Sequence, residues 1–285
     1  MDTAIPTYEQ VISCKKITDA QLNKEYLKLT KYKPVASKNC FAGNPILYHF
    51  QLDNLCQVKL KNGPFKDTMD NEERKLDSWN KCNRYANGSR PDNAPLRLFE
   101  MWRRMNGAIV FFKPTVAMFI YKQFKATHVL DPTAGWGGRL LAASALDIAY
   151  TGIDTNVNMK EAYDGIISLT KKTNVEMIWA DALSVDFSAI DYDCVLTSPP
   201  YINLELYEHM TPYESKEAFY KTFLIPLIDK CRANIKRGGK VCINIDVKMY
   251  KDLVEVFKYE ACSEKHDLLQ QKVQGKDKGQ KIYVW

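Results

Sequence analysis

Residues 127–141 read Thr127-His128-Val129-Leu130-Asp131-Pro132-Thr133-Ala134-Gly135-Trp136-Gly137-Gly138-Arg139-Leu140-Leu141. The first four form a short strand-like run, and the last three open a helical stretch. Glycine stands at 135, 137 and 138 between them. A tight strand-to-helix turn needs glycine where the chain reverses or lets a ligand approach the backbone. A helix beginning near Gly137 presents free N–H groups beside that turn. The run is not Gly-x-Gly-x-x-Gly and no Lys-Ser/Thr follows, which argues against a phosphate loop of the Walker type. Asp131 opens the loop, and a carboxylate there disfavours a phosphate and suits a cationic ligand. A plain structural turn accounts for the same residues equally well.

Outward from this stretch, apolar runs alternate with helical patterns. Strand-like runs fall at 149–153, 175–179, 194–196 and 240–245, and helices are expected at 114–124, 137–146, 158–172, 215–235 and 248–259. Such alternation predicts an α/β fold, a parallel sheet covered on both faces. The end differs. Runs at 267–273 and 281–285 flank Gly275-Lys276-Asp277-Lys278-Gly279 and predict an antiparallel hairpin.

Ligands of such sheets sit outside the carboxyl ends of the strands, so each strand end matters. The second strand ends at Asp154, 19 residues after Gly135, near the ~20-residue offset of an acid that holds ribose hydroxyls. A helix N-cap is the other reading of Asp154. The third strand ends at Asp181, which suits an amino group or caps a turn. The fourth runs into Thr197-Ser198-Pro199-Pro200-Tyr201. Consecutive prolines cannot continue a central strand. A rigid Ser-Pro-Pro turn aims a hydroxyl and a carbonyl at one point, with the Tyr201 ring beside it. That set suits a planar amine, whose N–H groups donate to Ser198 and to the Pro199 carbonyl.

Residues 1–92 read differently, with turn clusters at Lys33-Pro34, Gly43-Asn44-Pro45 and Asn62-Gly63-Pro64. Helices are expected at 18–30 and 70–83, and Asp92-Asn93-Ala94-Pro95 reads as a helix start. Residues 1–110 hold 18 Lys and Arg against 12 Asp and Glu, whereas 111–285 hold 22 of each. The whole excess of +6 therefore lies in the N-terminal part, which suits a polyanion such as nucleic acid. The expected division is a basic extension over 1–92, carrying substrate recognition, and a catalytic part over 93–285.

At 46% hydrophobic and 26% charged residues, the chain is neither mainly disordered nor collagen-like. No run approaches the ~18 apolar residues of a membrane helix, so no membrane partner is expected. The opening Met1-Asp2-Thr3-Ala4-Ile5-Pro6 has no secretory pattern. Eight scattered cysteines without a C-x-x-C pair then read as reduced thiols in the cytoplasm. Four histidines lack metal-ligand spacing, so no metal is expected.

Asp-Pro-x-x-Gly-x-Gly at 131–137 with Ser-Pro-Pro-Tyr at 198–201 resembles the S-adenosylmethionine-dependent amino methyltransferases of DNA. These enzymes methylate N4 of cytosine or N6 of adenine. The resemblance covers 111–285, including Arg237-Gly238-Gly239-Lys240 before the fifth strand. It leans towards the DNA methylases of bacteriophages and large DNA viruses. It implies a Rossmann-like methyltransferase fold: a mostly parallel seven-stranded sheet with a terminal antiparallel hairpin, preceded here by a mainly helical or irregular extension. It implies that Asp131, Pro132, Thr133, Ala134, Gly135 and Gly137 wrap the methionine part of the cofactor, with the acid near its ammonium. Asp154 would hold the ribose and Asp181 the adenine. Phe112-Lys113-Pro114 looks like the family's further cofactor segment, and Ser198 would also border the cofactor.

Ser198, Pro199, Pro200 and Tyr201 would hold the target base, with Asn203, Tyr207 and Tyr213 as further substrate contacts. Thr-Ser-Pro-Pro-Tyr is more typical of cytosine enzymes, so N4 of cytosine in DNA is the expected target. N6-adenine, an RNA base and a non-catalytic nucleic-acid-binding subunit are the alternatives, and a second copy or a partner subunit fits any of them. One departure is Trp136, which crowds or lines the cofactor site.

Overall fold

The structure is a computed structural model that describes residues 4–35, 40–59, 63–85, 93–106, 110–200, 213–267 and 279–285. Helices come first. Both α1 (Tyr8–Ser13) and α2 (Asp19–Thr30) begin with reciprocal capping boxes, Thr7 with Gln10 and Thr18 with Gln21. Then come α3 (Asn44–Gln57), α4 (Phe65–Asp70), α5 (Glu72–Tyr85) and α6 (Ala94–Asn106). The Gly43-Asn44-Pro45 cluster is more than the turn it resembled. Gly43 takes φ +86° at the N-cap of α3, and Pro45 sits in its first turn, where a missing N–H costs nothing.

The α/β part runs α7 (Pro114–Gln123), β1 (His128–Asp131), α8 (Gly138–Leu146), β2 (Ala149–Asp154), α9 (Lys160–Thr170), β3 (Val175–Trp179) and β4 (Cys194–Thr197). It continues with α10 (Lys216–Phe219), α11 (Ile225–Asn234), β5 (Lys240–Asp246), α12 (Val247–Lys251), β6 (Glu264–Asp267) and β7 (Gln280–Val284). The sheet order is β3-β2-β1-β4-β5-β7-β6. The pairs from β3 to β5 are parallel. The β7 strand pairs antiparallel with β5 and β6. This is the expected Rossmann-like methyltransferase fold, with a mainly helical N-terminal part. Its strand order reverses between β1 and β4, where a crevice opens at the strand ends.

Two expected elements differ in detail. The first hairpin strand lies at Glu264–Asp267, with His266 opposite Ile282; residues 268–273 fall outside the described part. The single helix expected over 215–235 is divided by a π turn at Tyr220–Leu224. Pro226, in the first turn of α11, has no N–H for the carbonyl one turn back and its ring crowds that carbonyl. Widening to a π turn relieves both. A second π turn follows α12 at Asp252–Val256.

Side chains alternate across the sheet. Val129, Leu196 and Cys242 point into one buried cluster, Leu130, Val195 and Ile243 into the other. The first cluster also takes in Leu22, Leu29, Leu47 and Leu52 from the N-terminal helices. The α2 helix packs on α8 and α3 on α9. The Tyr26 hydroxyl donates to the Ser144 carbonyl at 3.0 Å. Gly165 lets α9 lie against the Phe50 ring, which a Cβ would meet at 2.5 Å.

Candidate active site

The β1–α8 loop is built around Asp131. Its carboxylate is completely buried and its oxygens are engaged by the protein itself. Arg139 Nε donates to it at 2.6 Å and the Tyr150 hydroxyl at 2.7 Å. The Thr197 hydroxyl donates from the end of β4 at 2.9 Å. Burial opposes the Arg139 charge, but the Asp131 carboxylate outweighs it and holds the guanidinium above its ordinary value. Arg139 also donates to the Thr133 carbonyl. Thr133 reaches Thr197 through its N–H at 3.1 Å and its hydroxyl at 2.6 Å. The loop is thus tied to β4 at the residue before Ser198.

A second carboxylate sets the glycine turn. Asp154 accepts from the Gly135 N–H at 2.8 Å and from the Asn156 N–H at 2.9 Å. Gly135 needs its φ of +60° to bring that N–H round. The Tyr163 hydroxyl donates to the Gly135 carbonyl at 2.8 Å. Burial raises the Asp154 carboxyl above its ordinary value, against the two backbone donors that favour the charge.

Beside these ends lies a cavity of about 450 Å³. Of the predicted site residues, Pro132, Thr133, Gly135, Asp154, Asp181, Ser198, Pro200 and Tyr213 line it. Asp181 caps its own turn by accepting from the Leu183 N–H at 2.9 Å and also lines the cavity. The Tyr213 hydroxyl is pushed up to about 12 by burial and by the Asp181 carboxylate. Ser198 accepts from Asn244 Nδ2 at 3.0 Å.

Other predicted residues lie elsewhere. Asp131, Ala134 and Pro199 are buried and do not line the cavity among the described residues. Gly137 is the N-cap of α8, with φ +82°. Phe112 abuts the start of α8, its carbonyl 2.0 Å from where a Gly138 Cβ would stand. Pro114 packs near Gly43, and Lys113 faces a different cavity. Tyr201, Asn203 and Tyr207 fall outside the described residues. Among the described residues no group of three or more His, Cys, Asp or Glu is placed to hold a metal. No helix is long and apolar enough to cross a membrane there. All eight cysteines are free thiols.

Sequence reasoning missed several cavity walls. Asn156 and Met159 line it from beyond β2, and Thr222 and Phe223 from the π turn. A π turn has no simple sequence period, so the last two carried no signal. Trp136 was noticed only as a departure, and it lines the cavity. Asn244 reads as an ordinary sheet residue until its contact with Ser198 is seen.

The donor set fits S-adenosylmethionine. A carboxylate at the end of β2 suits vicinal hydroxyls, since it accepts two hydrogen bonds. Asp181 faces the same space and suits an amino group. The apolar walls at Met159, Leu183 and Phe223 suit a purine and a thioether-like carbon chain.

No family model matches the chain. Over 117 residues, 41% of the chain, it is 29% identical to the tRNA (guanine(10)-N2)-dimethyltransferase of Methanothermobacter thermautotrophicus. That stretch covers 32% of the relative, so the chain spans about a third of its length. Among solved structures, TrmN from Thermus thermophilus aligns with a TM-score of 0.44 at 15% identity, covering 67% of this chain and 66% of that one. An RNA methyltransferase from Salinibacter ruber, in complex with S-adenosyl-L-homocysteine, aligns with a TM-score of 0.39 at 16% identity, covering 62% and 92%. The fold itself rests on the strand order and connections given above.

Proposed function

We propose that the chain transfers a methyl group from S-adenosylmethionine to an exocyclic amino group of a nucleic-acid base. One observation carries this reading: Asp154 at the end of β2 and Ser198 at the end of β4 line one cavity, on either side of β1. A ribose ligand and an amine acceptor are thus addressed together.

The cofactor, when bound, supplies a methyl group already activated on a sulfonium. The protein's task is to position the amine and raise its nucleophilicity. An exocyclic amine conjugates its lone pair into the ring. Acceptors placed out of the ring plane draw its N–H groups towards tetrahedral geometry and free that pair. Ser198 Oγ is one such acceptor; Asn244 occupies one lone pair and leaves another for the substrate. In-line placement supplies the rest. With the cofactor bound, transfer would exchange its S–C bond for a new N–C bond, the thioether leaving, and the amine proton would then pass to water. A base in a duplex must first be flipped out.

For the target, Thr197-Ser198-Pro199-Pro200-Tyr201 supports N4 of cytosine in DNA. A second reading, an RNA base such as N2 of guanine, is supported by the stretch similar to a tRNA guanine-N2 enzyme. The test is calorimetric binding of S-adenosylmethionine, then transfer of labelled methyl to matched DNA and RNA oligonucleotides with nucleoside analysis. N4-methylcytosine bears out the first reading and N2-methylguanine in RNA the second. Cofactor binding with label in neither polymer counts against both.

A further inference from the structure

A second cavity, of about 560 Å³, lies between the N-terminal helices and the segment leading into α7. Its chemistry differs from that of the first. Lys15, Arg103 and Lys113 line it against a single carboxylate, Glu100, among the described residues. Glu100 takes Lys15 at 3.1 Å and Arg103 at 3.3 Å. Aromatic rings are interleaved with them. Lys15 Nζ stands 3.7 Å from the Tyr48 centroid and Lys113 Nζ 4.1 Å from that of Phe41. Phe41 nonetheless keeps 59% of its surface exposed, so part of the ring is open to a ligand. Positive charge with an open aromatic ring is what a nucleotide uses, phosphate on the cations and base on the ring.

The place matters as much as the chemistry. Phe111, on the wall of this cavity, packs against Trp136 with centroids 5.6 Å apart. Trp136 lines the first cavity. Two rings therefore separate the two spaces.

We propose that this second cavity holds a nucleotide of the substrate strand flanking the methylated one, with Phe41 stacking on its base and Lys113 facing its phosphate. The inference rests on the nucleic-acid reading above. It assigns Lys113 to the substrate and not to the cofactor, where the sequence pattern had put it. The occupant is a single-stranded nucleotide, and DNA and RNA share the groups concerned.

The test measures binding of fluorescein-labelled mixed-sequence single strands, DNA and RNA separately, by anisotropy over a salt series. Wild type, Phe41→Ala and Lys113→Gln are compared, with S-adenosylmethionine affinity measured for all three. The expected result is about tenfold weaker strand binding in Phe41→Ala. In Lys113→Gln the slope of log affinity against log salt falls by about one phosphate contact. Cofactor affinity stays at the wild-type value in both. Wild-type strand affinity and salt slope in both variants overturn the inference while leaving the proposed methyl transfer standing. A loss of cofactor affinity in Lys113→Gln also overturns it, in favour of the cofactor role. A wild-type protein that binds the cofactor but no single strand overturns it, while leaving a duplex substrate open to the nucleic-acid reading.

Discussion

The Asp131 carboxylate and the Arg139 guanidinium form a buried ion pair, 2.6 Å from Oδ2 to Nε, with their side chains 0% and 4% exposed. The acid that opens the glycine loop is therefore a structural anchor. Removing one partner of such a pair leaves a buried charge uncompensated, at a cost of about 3–5 kcal/mol. Asp131→Asn is expected to lose about that much stability in urea unfolding. Because the pair also orients Thr133 and Thr197, cofactor affinity should fall with it.

Asp154 holds the glycine turn and, in the proposed reading, the ribose, and the two separate with pH. Its carboxyl is raised by burial, so the group protonates at a higher pH than an ordinary Asp. A ribose diol is held best by the ionised form. Affinity for S-adenosylmethionine is thus expected to decline as pH falls, beginning above the ordinary Asp value of 3.8. The sign for folding is opposite. A raised native value means the folded state binds this proton more tightly, so the group's contribution favours folding at low pH and is lost as pH rises through the native value. Calorimetric titrations across the acidic range, with Asp154→Asn as control, check the binding part. The control should bind at least about tenfold more weakly and lose the pH dependence.

Ser198 and Asn244 should fail in different ways. Ser198→Ala removes an acceptor that strengthens in the transition state, and turnover is expected to drop by about 10²-fold while cofactor binding survives. Asn244→Ala leaves the hydroxyl present but unaimed. A smaller drop in kcat is expected, and Asn244→Gln should not restore it, since its extra methylene moves the amide. Steady-state kinetics on both, and on the double variant, show whether the effects are shared. Full additivity would separate Asn244 from Ser198.

Gly138 sits where α8 meets Phe112. A Cβ there would stand 2.0 Å from the Phe112 carbonyl oxygen, a backbone atom that cannot swing aside. Gly138→Ala is expected to cost about 3 kcal/mol or more, beyond the usual range of overpacking. Thermal unfolding measures it. Gly238→Ala is the contrast, since nothing lies within 4 Å of its Cβ and only its φ of +83° is strained.

Much of the fold could be read from local pattern. The runs at 149–153, 175–179 and 240–245 became β2, β3 and β5 within a residue, because buried parallel strands are nearly continuous apolar runs. The capped helix at 18–30 was equally plain. The failures have physical causes. Gly43-Asn44-Pro45 holds turn residues that also start helices, and only tertiary packing against α9 decides between them. The π turn at Tyr220–Leu224 follows from Pro226, but its effect on Thr222 and Phe223 needs three dimensions. At the site, Asp154, Asp181 and Ser198 were legible because strand ends converge in this topology. Asp131 was not, because a carboxylate facing a ligand and one facing Arg139 have the same spelling.

The order of the strands has a bearing on biosynthesis. The β7 strand lies between β5 and β6 in space, although residues 280–284 are made after both. The apolar face of α3 must likewise wait for α9, more than 100 residues later. At about 5–20 residues per second, the nascent helix stays without its partner for roughly 5–20 s. The sheet is incomplete until β7 leaves the ribosome. A slowly translated or stalled copy would therefore expose apolar helix surface from the N-terminal part to whatever holdase is at hand.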